Sequence, residues 1–399
     1  MNLMFAFFLS IAPWFAEGWE TAWSLFYAPQ THLFYDYISS YEIGKSLDHL
    51  PTLEEMSVEY PNPCGYSTGM EDCAILNGTM LGALTDAYEK NSRKEWKQKA
   101  EDLLKGCSLL ATQSDAYGYV LRGVSPRDGH SHYTNTSRDQ VTHWAWGLWK
   151  YYHGKISTAK GRQTVRKLLR AVADRMHRVV IPANDYDMLR SNGLRSTYGN
   201  CKMWEVQPHE AARLPMLYAV AFDVTGDETY AAYRDEYLAE AIDCSEKIVE
   251  DYPSYVYLQM MYAFTVLQET TTDSSYQNRL KKLRERVVLL VAKKAAANVA
   301  LLKQYSASEL EMLGPDWRKV EVWNMQGGFP NPYWGAYRVI WNRLRAAGEY
   351  ACVAALSDDM EQHLVGRRIW QAAIADVNWT RTSCCGIVFH LAAAMTLAG

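Results

Sequence analysis

The feature that most constrains this chain is a rhythm. Segments of helical periodicity follow one another along nearly its whole length, and mostly apolar segments alternate with amphipathic ones. In 70–88, Met70, Cys73, Ala74, Met80, Leu81, Leu84 and Ala87 recur at spacings of three and four, the repeat of one helical face. The segments 138–152, 207–224, 254–269, 332–347 and 383–398 are likewise apolar, whereas 93–112, 159–180, 228–250, 276–303 and 354–374 carry charge on one side. A helix that is apolar all round is buried, and a one-faced helix lies outside it. Buried-type helices begin near 71, 139, 208, 254, 332 and 383. Outer ones begin near 93, 159, 228, 276 and 354, and 31–49 is expected to supply the sixth. The turn Thr225–Tyr230 joins one pair, with Gly226 as the stop and Asp227 as the next N-cap. Six inner and six outer helices predict an all-α fold, a closed (α/α)6 toroid. An open α-solenoid or a large bundle is the alternative.

Length alone would allow two or three domains in 399 residues. No Pro/Gly/Ser-rich linker interrupts the rhythm, so 19–399 reads as a single domain. A net charge of −4 excludes a surface built for nucleic acid. The 27 Tyr and 14 Trp against 10 Phe favour aromatics with a polar handle, which suit wet grooves that stack on sugar rings as well as helix packing.

Residues 3–16 are mostly apolar, the length of a signal-peptide core and too short to span a bilayer. With Ala16 and Gly18 as small residues at the cleavage positions, 1–18 is expected to be a signal peptide and the mature chain secreted or periplasmic. The stretch lacks a Lys or Arg before it, and a buried N-terminal helix is the competing reading. Eight cysteines are compatible with an oxidising compartment but show no zinc-type spacing. Cys64 and Cys73 are near enough in sequence to pair. Asn77, Asn135 and Asn378 match the glycosylation triplet, although Asn77 falls on an apolar helix where a glycan would not fit. No phosphate loop, zinc-protease helix or nucleophile elbow occurs, and neither cofactor nor metal is expected.

In a ring of hairpins every inner helix begins at the same end, where unsatisfied N–H groups favour anions and polar groups. The polar clusters fall there: Glu71-Asp72, Ser137-Arg138-Asp139-Gln140 followed by His143, Trp204-Glu205 with His209, Trp334, and Arg381. Capping explains a single Asp at a helix start, but not several carboxylates with Arg, His and Trp at adjacent starts. Asp72 and Asp139 lie one hairpin apart, on neighbouring inner helices facing one pocket. Two carboxylates flanking a substrate are what glycoside cleavage uses, one as acid and one as base. An inward Arg138 would depress Asp139 and favour the base role there; Glu71 competes with Asp72 for the other. Arg122 and Arg127 in the loop before the second inner helix are candidates to grip a sugar carboxylate. His130 and His132 read as a surface turn. The long loop 185–205 adds Arg195, Tyr198, Asn200 and Trp204. Trp204, Trp146 and Trp334 are candidate sugar platforms, with core packing at least as good an explanation for Trp146.

On the Gly69-Met-Glu-Asp72 and Ser137-Arg-Asp-Gln140 segments, the loop aromatics and the Thr225–Tyr230 turn, the chain resembles the six-hairpin glycosidase group, in particular the unsaturated glucuronyl hydrolases. The resemblance implies a toroidal hydrolase of oligo- or polysaccharides containing uronic acid, with Asp139 as the principal catalytic carboxylate and Asp72 as its partner. Tyr198, Asn200, Arg195 and His209 would instead suit a polysaccharide lyase. A glycan-binding toroid without turnover is the non-enzymatic alternative.

Overall fold

The computed structural model describes residues 13–196, 198–324, 328–375 and 377–397. Most of the expected leader, residues 1–12, lies outside them. Helix α1 (13–21) runs into a π-helical turn, Ala22–Phe26, and a small hairpin of β1 (Tyr27–Ala28) and β2 (Leu33–Phe34) follows. After the short α2 (Leu53–Ser57) the hairpin series begins: α3 (Cys73–Lys90), α4 (Lys94–Thr112), α5 (Arg138–His153), α6 (Ala159–Val179), α7 (Arg213–Thr225), α8 (Glu228–Ser245), α9 (Ser254–Thr270) and α10 (Ser274–Leu302). The one-turn α11 (Ala307–Leu310) and a hairpin of β3 (Val322–Asn324) and β4 (Pro330–Pro332) precede α12 (Ala336–Ala355), α13 (Met360–Ile374) and α14 (Gly386–Leu397).

Helices α3, α5, α7, α9, α12 and α14 pack in that order, and α14 returns to α3, so the inner ring closes. Burial follows the alternation seen in the sequence. Nearly every residue of α3, α7, α9 and α14 is buried, whereas α6 and α10 bury one face.

The sixth outer helix is not 31–49. That segment is extended and turned, and it satisfies its backbone by crossing between two loops of the ring. Asp36 N–H donates to Gly69, Ile38 N–H donates to Ser383, and the Asp36 carbonyl accepts from Cys385. Its place outside is taken by α1, whose Gly18 rests on Ile387 and Leu391 of α14. Trp14 lies 5.2 Å from Trp370 of α13, and Trp19 lies 5.0 Å from Trp96 of α4.

The helical segment expected over 332–347 runs instead from Ala336 through Gly348 to Ala355 as α12. The glycine is there for packing, since a Cβ would come within 2.7 Å of the Phe389 Cβ on α14. The third inner helix starts at Arg213, because residues 208–212 form turns. Cys64 and Cys73 are both buried and free, not bonded to each other. Asn77 is buried as well, donating to His32 O and accepting from Phe34 N–H.

Candidate active site at the ring mouth

The N-terminal ends of the inner helices surround a cavity of about 650 Å³, lined among others by Glu71, Asp72, Arg122, Asp139, Tyr255 and Arg345. Its local chemistry departs from ordinary helix capping. Asp72 and Ser137 occupy the N-cap positions of α3 and α5, but neither side chain caps its helix. The Asp72 carboxylate instead accepts from Arg122 at 3.2 Å, Arg345 at 2.5 Å and Gln140 at 2.7 Å. The Ser137 hydroxyl donates to Asp139 and accepts from Arg122 at 2.6 Å. One guanidinium and one hydroxyl therefore connect the two aspartates, a span of at most about 10 Å for such a hydrogen-bond chain. That bound reaches the range in which paired carboxylates cleave glycosidic bonds.

The entry to α3 is bent by Gly69, whose φ of +90° belongs to glycine and whose Cβ would strike His49 at 2.6 Å. This turn aims Ser67 and Gly69 N–H at the Glu71 carboxylate, at 2.7 and 2.8 Å. Burial and the adjacent Asp72 nevertheless push Glu71 up to about 7. Asp139 goes the other way. Burial raises it, but Arg122, Ser137, Arg213 and the Gln140 N–H outweigh that and hold it below the usual carboxylate range. The cation responsible is Arg122. Arg138, expected in that role, turns away to Glu210 and to the carbonyls of Gly199 and Lys202.

On the far wall Arg345 also donates to Glu349 at 2.7 Å, one turn on, and Ser254 donates to the same carboxylate at 2.5 Å. Burial raises Glu349 and Arg345 opposes it. Removing Arg345 would leave the buried Glu349 without a cation and Asp72 with Arg122 alone, a loss on the order of 3–5 kcal/mol for a broken buried pair. Two further guanidiniums, Arg338 and Arg343, line the cavity. Among the described residues neither has an ion-pair or side-chain hydrogen-bond partner. Aromatic surface comes from Tyr66, Tyr255, Trp334 and Trp341, with Arg122 4.6 Å from the Tyr66 ring centroid and Arg345 4.9 Å from that of Trp341.

Of the residues singled out in the sequence, the structure brings together Glu71, Asp72, Arg122, Asp139 and Trp334. Trp334 is nearly buried, donating to Ser67 O at 3.0 Å. Tyr198 stands at the shoulder, against Tyr66 and stacked on Phe329. The others are elsewhere. Trp204 is buried against Tyr237, so its faces are not open to a sugar. Glu205 pairs with Lys202 and Arg195 with Asp185 on the surface. His143 lies under the floor, bonded to Thr79 at 2.9 Å, and burial lowers it to about 3. His209 packs on Tyr252 and is lowered by burial to about 4. Arg127 ties down the backbone of Asp48, Leu50 and Pro51. Sequence reading missed Arg338, Arg343, Arg345, Glu349 and Tyr255. A signal existed for the first four, because three Arg and a Glu within an otherwise apolar inner helix are unusual for a buried element.

No protein-family model matches the chain, and no curated protein matches it. In fold it is similar to a sugar epimerase from a ruminal bacterium, at 11% identity and a TM-score of 0.50 over 96% of this chain and 98% of that one. It is also similar to cellobiose 2-epimerase from Bacillus thermoamylovorans, at 11% identity and 0.49 over 98% of each chain. A D-mannose isomerase aligns at 10% identity and 0.41 over 90% of this chain and 98% of that one. The likeness is one of fold. The chain is an (α/α)6 toroid.

Proposed function

We propose that the protein is a glycoside hydrolase acting at the ring mouth on oligosaccharides that carry uronic acid. The observation that carries this reading is a single cavity in which two carboxyl groups are driven apart in acidity while two guanidiniums stand free. Asp139, ionised, takes a proton from water. Glu71, protonated below about 7, gives one to the leaving oxygen. Asp72, fixed between two guanidiniums, holds both helices in register beneath the sugar. Arg338 and Arg343 suit a substrate carboxylate, since a free guanidinium binds one through charge-assisted bonds. Among the described residues no imidazole lines the cavity, so proton transfer there falls to carboxyl groups.

The test is incubation with saturated and unsaturated uronate oligosaccharides, following reducing ends and ultraviolet absorbance together. New reducing ends, with loss of absorbance from an unsaturated end, support the hydrolase. A gain of absorbance marks a lyase. Conversion of a sugar without new reducing ends marks an epimerase such as the structural neighbour, and binding without turnover marks a glycan-binding toroid. Secretion is a separate proposal on the strength of residues 3–16, and it competes with retention of α1, because cleavage after Gly18 would remove the part of that helix which packs Trp14 on Trp370 and Trp379. N-terminal sequencing of the mature protein checks it, and a chain retaining α1 would refute cleavage after Gly18.

A further inference from the structure

The two strands of the β3–β4 hairpin are buried unequally. In β4, Asn331 and Pro332 are buried, whereas all three residues of β3 are exposed. Val322 is 53% exposed and Trp323 44%, and Tyr333, one step beyond β4, is 46% exposed. A two-stranded hairpin is marginal in water unless its apolar face is covered. Single exposed aromatics are ordinary on a protein surface; what sets these two apart is where the hairpin holds them.

The register decides that place. Trp323 pairs with Asn331, so their side chains stand on one face of the ladder. Tyr333 N–H donates to the Glu321 carbonyl at 2.7 Å, which carries the pairing one step further and puts Glu321 and Tyr333 on the same face. Asn331 lines the mouth cavity. Glu321, Trp323 and Tyr333 border a recess of about 440 Å³, and Arg338, on the first turn of α12, lines the recess and the mouth alike. The recess is therefore a continuation of the mouth, reached along one face of the hairpin and past one guanidinium.

We infer that this recess is a distal sugar subsite, and that the substrate class is an oligosaccharide longer than a disaccharide, lying from the mouth across the hairpin. The two spaces differ in the way such a chain needs. The mouth offers Arg338 and Arg343 to a uronate. The recess offers aromatic faces to the C–H side of a pyranose ring, and Glu321, an acceptor when ionised, to its hydroxyl groups. A ring seated there covers the apolar surface that β3 leaves open. The subsite rests on the reading of the mouth as a site for uronate-bearing sugars, but its test does not need turnover.

Calorimetric titration of the full chain tests it, with Asp139→Asn in place to stop any turnover. The probes are the disaccharides and tetrasaccharides of hyaluronan, polygalacturonate and alginate. At least one tetrasaccharide should bind about tenfold more tightly than its disaccharide, the worth of covering an aromatic face. Trp323→Ala should abolish that preference while the disaccharide affinity, which reports a folded mouth, stays within about twofold. Trp323→Phe, which keeps a ring, should retain most of the preference. No preference in any of the three series, or one that Trp323→Ala leaves intact, overturns the subsite. A change of oligomeric state in Trp323→Ala with the preference intact overturns it too, and assigns the open strand to contact between copies of the chain. If the Trp323-dependent preference is found but the protein with Asp139 releases no reducing ends from that tetrasaccharide, the hydrolase reading fails and the subsite stands. If reducing ends are released and the preference is absent, the subsite fails and hydrolysis stands.

Discussion

The two ends of the ring enclose cavities of nearly equal size, about 650 Å³ at the mouth and about 620 Å³ at the base. Their charges are arranged differently. At the base the outer helices begin, and Thr158, Asp227, Asp273 and Asp359 cap them with their own side chains. The inner helices end there, and cations cap their last carbonyls. Lys90 donates to Met395 and Thr396, Arg284 to Leu356, Arg234 to Thr270 and Arg166 to Val224. Remaining base charges are largely paired, as in Lys150–Asp86 and His153–Asp223. At the mouth, residues 72, 137, 212, 253 and 335 precede α3, α5, α7, α9 and α12, and none of them caps its helix with a side chain. The carboxylates there are held by guanidiniums, hydroxyls and backbone N–H groups, and two guanidiniums are left over. Volume does not separate a working site from a structural hollow in this protein; the unspent hydrogen-bonding capacity does.

The largest break in that contrast should come from Asp139→Asn. Loss of a general base should lower kcat by about 10²–10⁴-fold with little change in KM or circular dichroism. The equivalent change at the base, Asp223→Asn, should leave kcat within about twofold, and a comparable loss there would erase the distinction between the ends. Next in size are Arg338→Ala and Arg343→Ala. Each should raise KM for a uronate substrate by about ten- to a hundredfold, the worth of a charge-assisted bond, and leave a neutral analogue nearly unaffected. Equal effects on both substrates would remove the case for an acidic sugar.

The pH dependence should sharpen the comparison further. Activity needs Asp139 ionised and Glu71 protonated. It should therefore rise through a limb below the usual carboxylate range and fall as pH passes about 7. The same acid affects stability. The folded state holds a proton on Glu71 that the unfolded chain, near 4.5, releases, so this contribution is present at low pH and is lost as pH rises toward about 7. Glu71→Gln should flatten that decline in thermal melts across the same window, and an unchanged slope would mean Glu71 is not the titrating group. The smallest effects belong to the base. Asp273→Ala removes a cap that accepts from Ser275 and Tyr276, and should cost about 1 kcal/mol of stability. Arg284→Met should cost about 1–2 kcal/mol, limited because Asp358 is mostly exposed. Neither should alter kcat where the protein remains folded.

The alternation of apolar and one-faced helices made the toroid legible, because burial on all sides leaves a composition that periodicity can detect. Asp72 and Asp139 were legible for a related reason, since the start of an inner helix is a fixed place in the architecture. Two kinds of feature escaped. The outer position filled by α1 depends on which segment covers α14, a tertiary choice that apolar residues 13–26 and 31–49 both fit by composition. Arg345 and Glu349 escaped because they lie mid-helix, where only the closing of the ring turns them toward Asp72. Trp204 misled for the converse reason: a Trp beside a helix start serves packing or stacking according to what covers it, and here Tyr237 does.

Helix α1 has a further consequence in the order of synthesis. Its residues are made long before their partners, since Trp14 packs on Trp370 and Trp379. Contacts so distant in sequence form slowly, and until they do Trp14 waits uncovered, while Phe15 and Trp19 already have Trp96 of α4 to pack on. Completion of the last hairpin is therefore the event that shields the first helix, and a chain stalled short of residue 360 would expose it to aggregation.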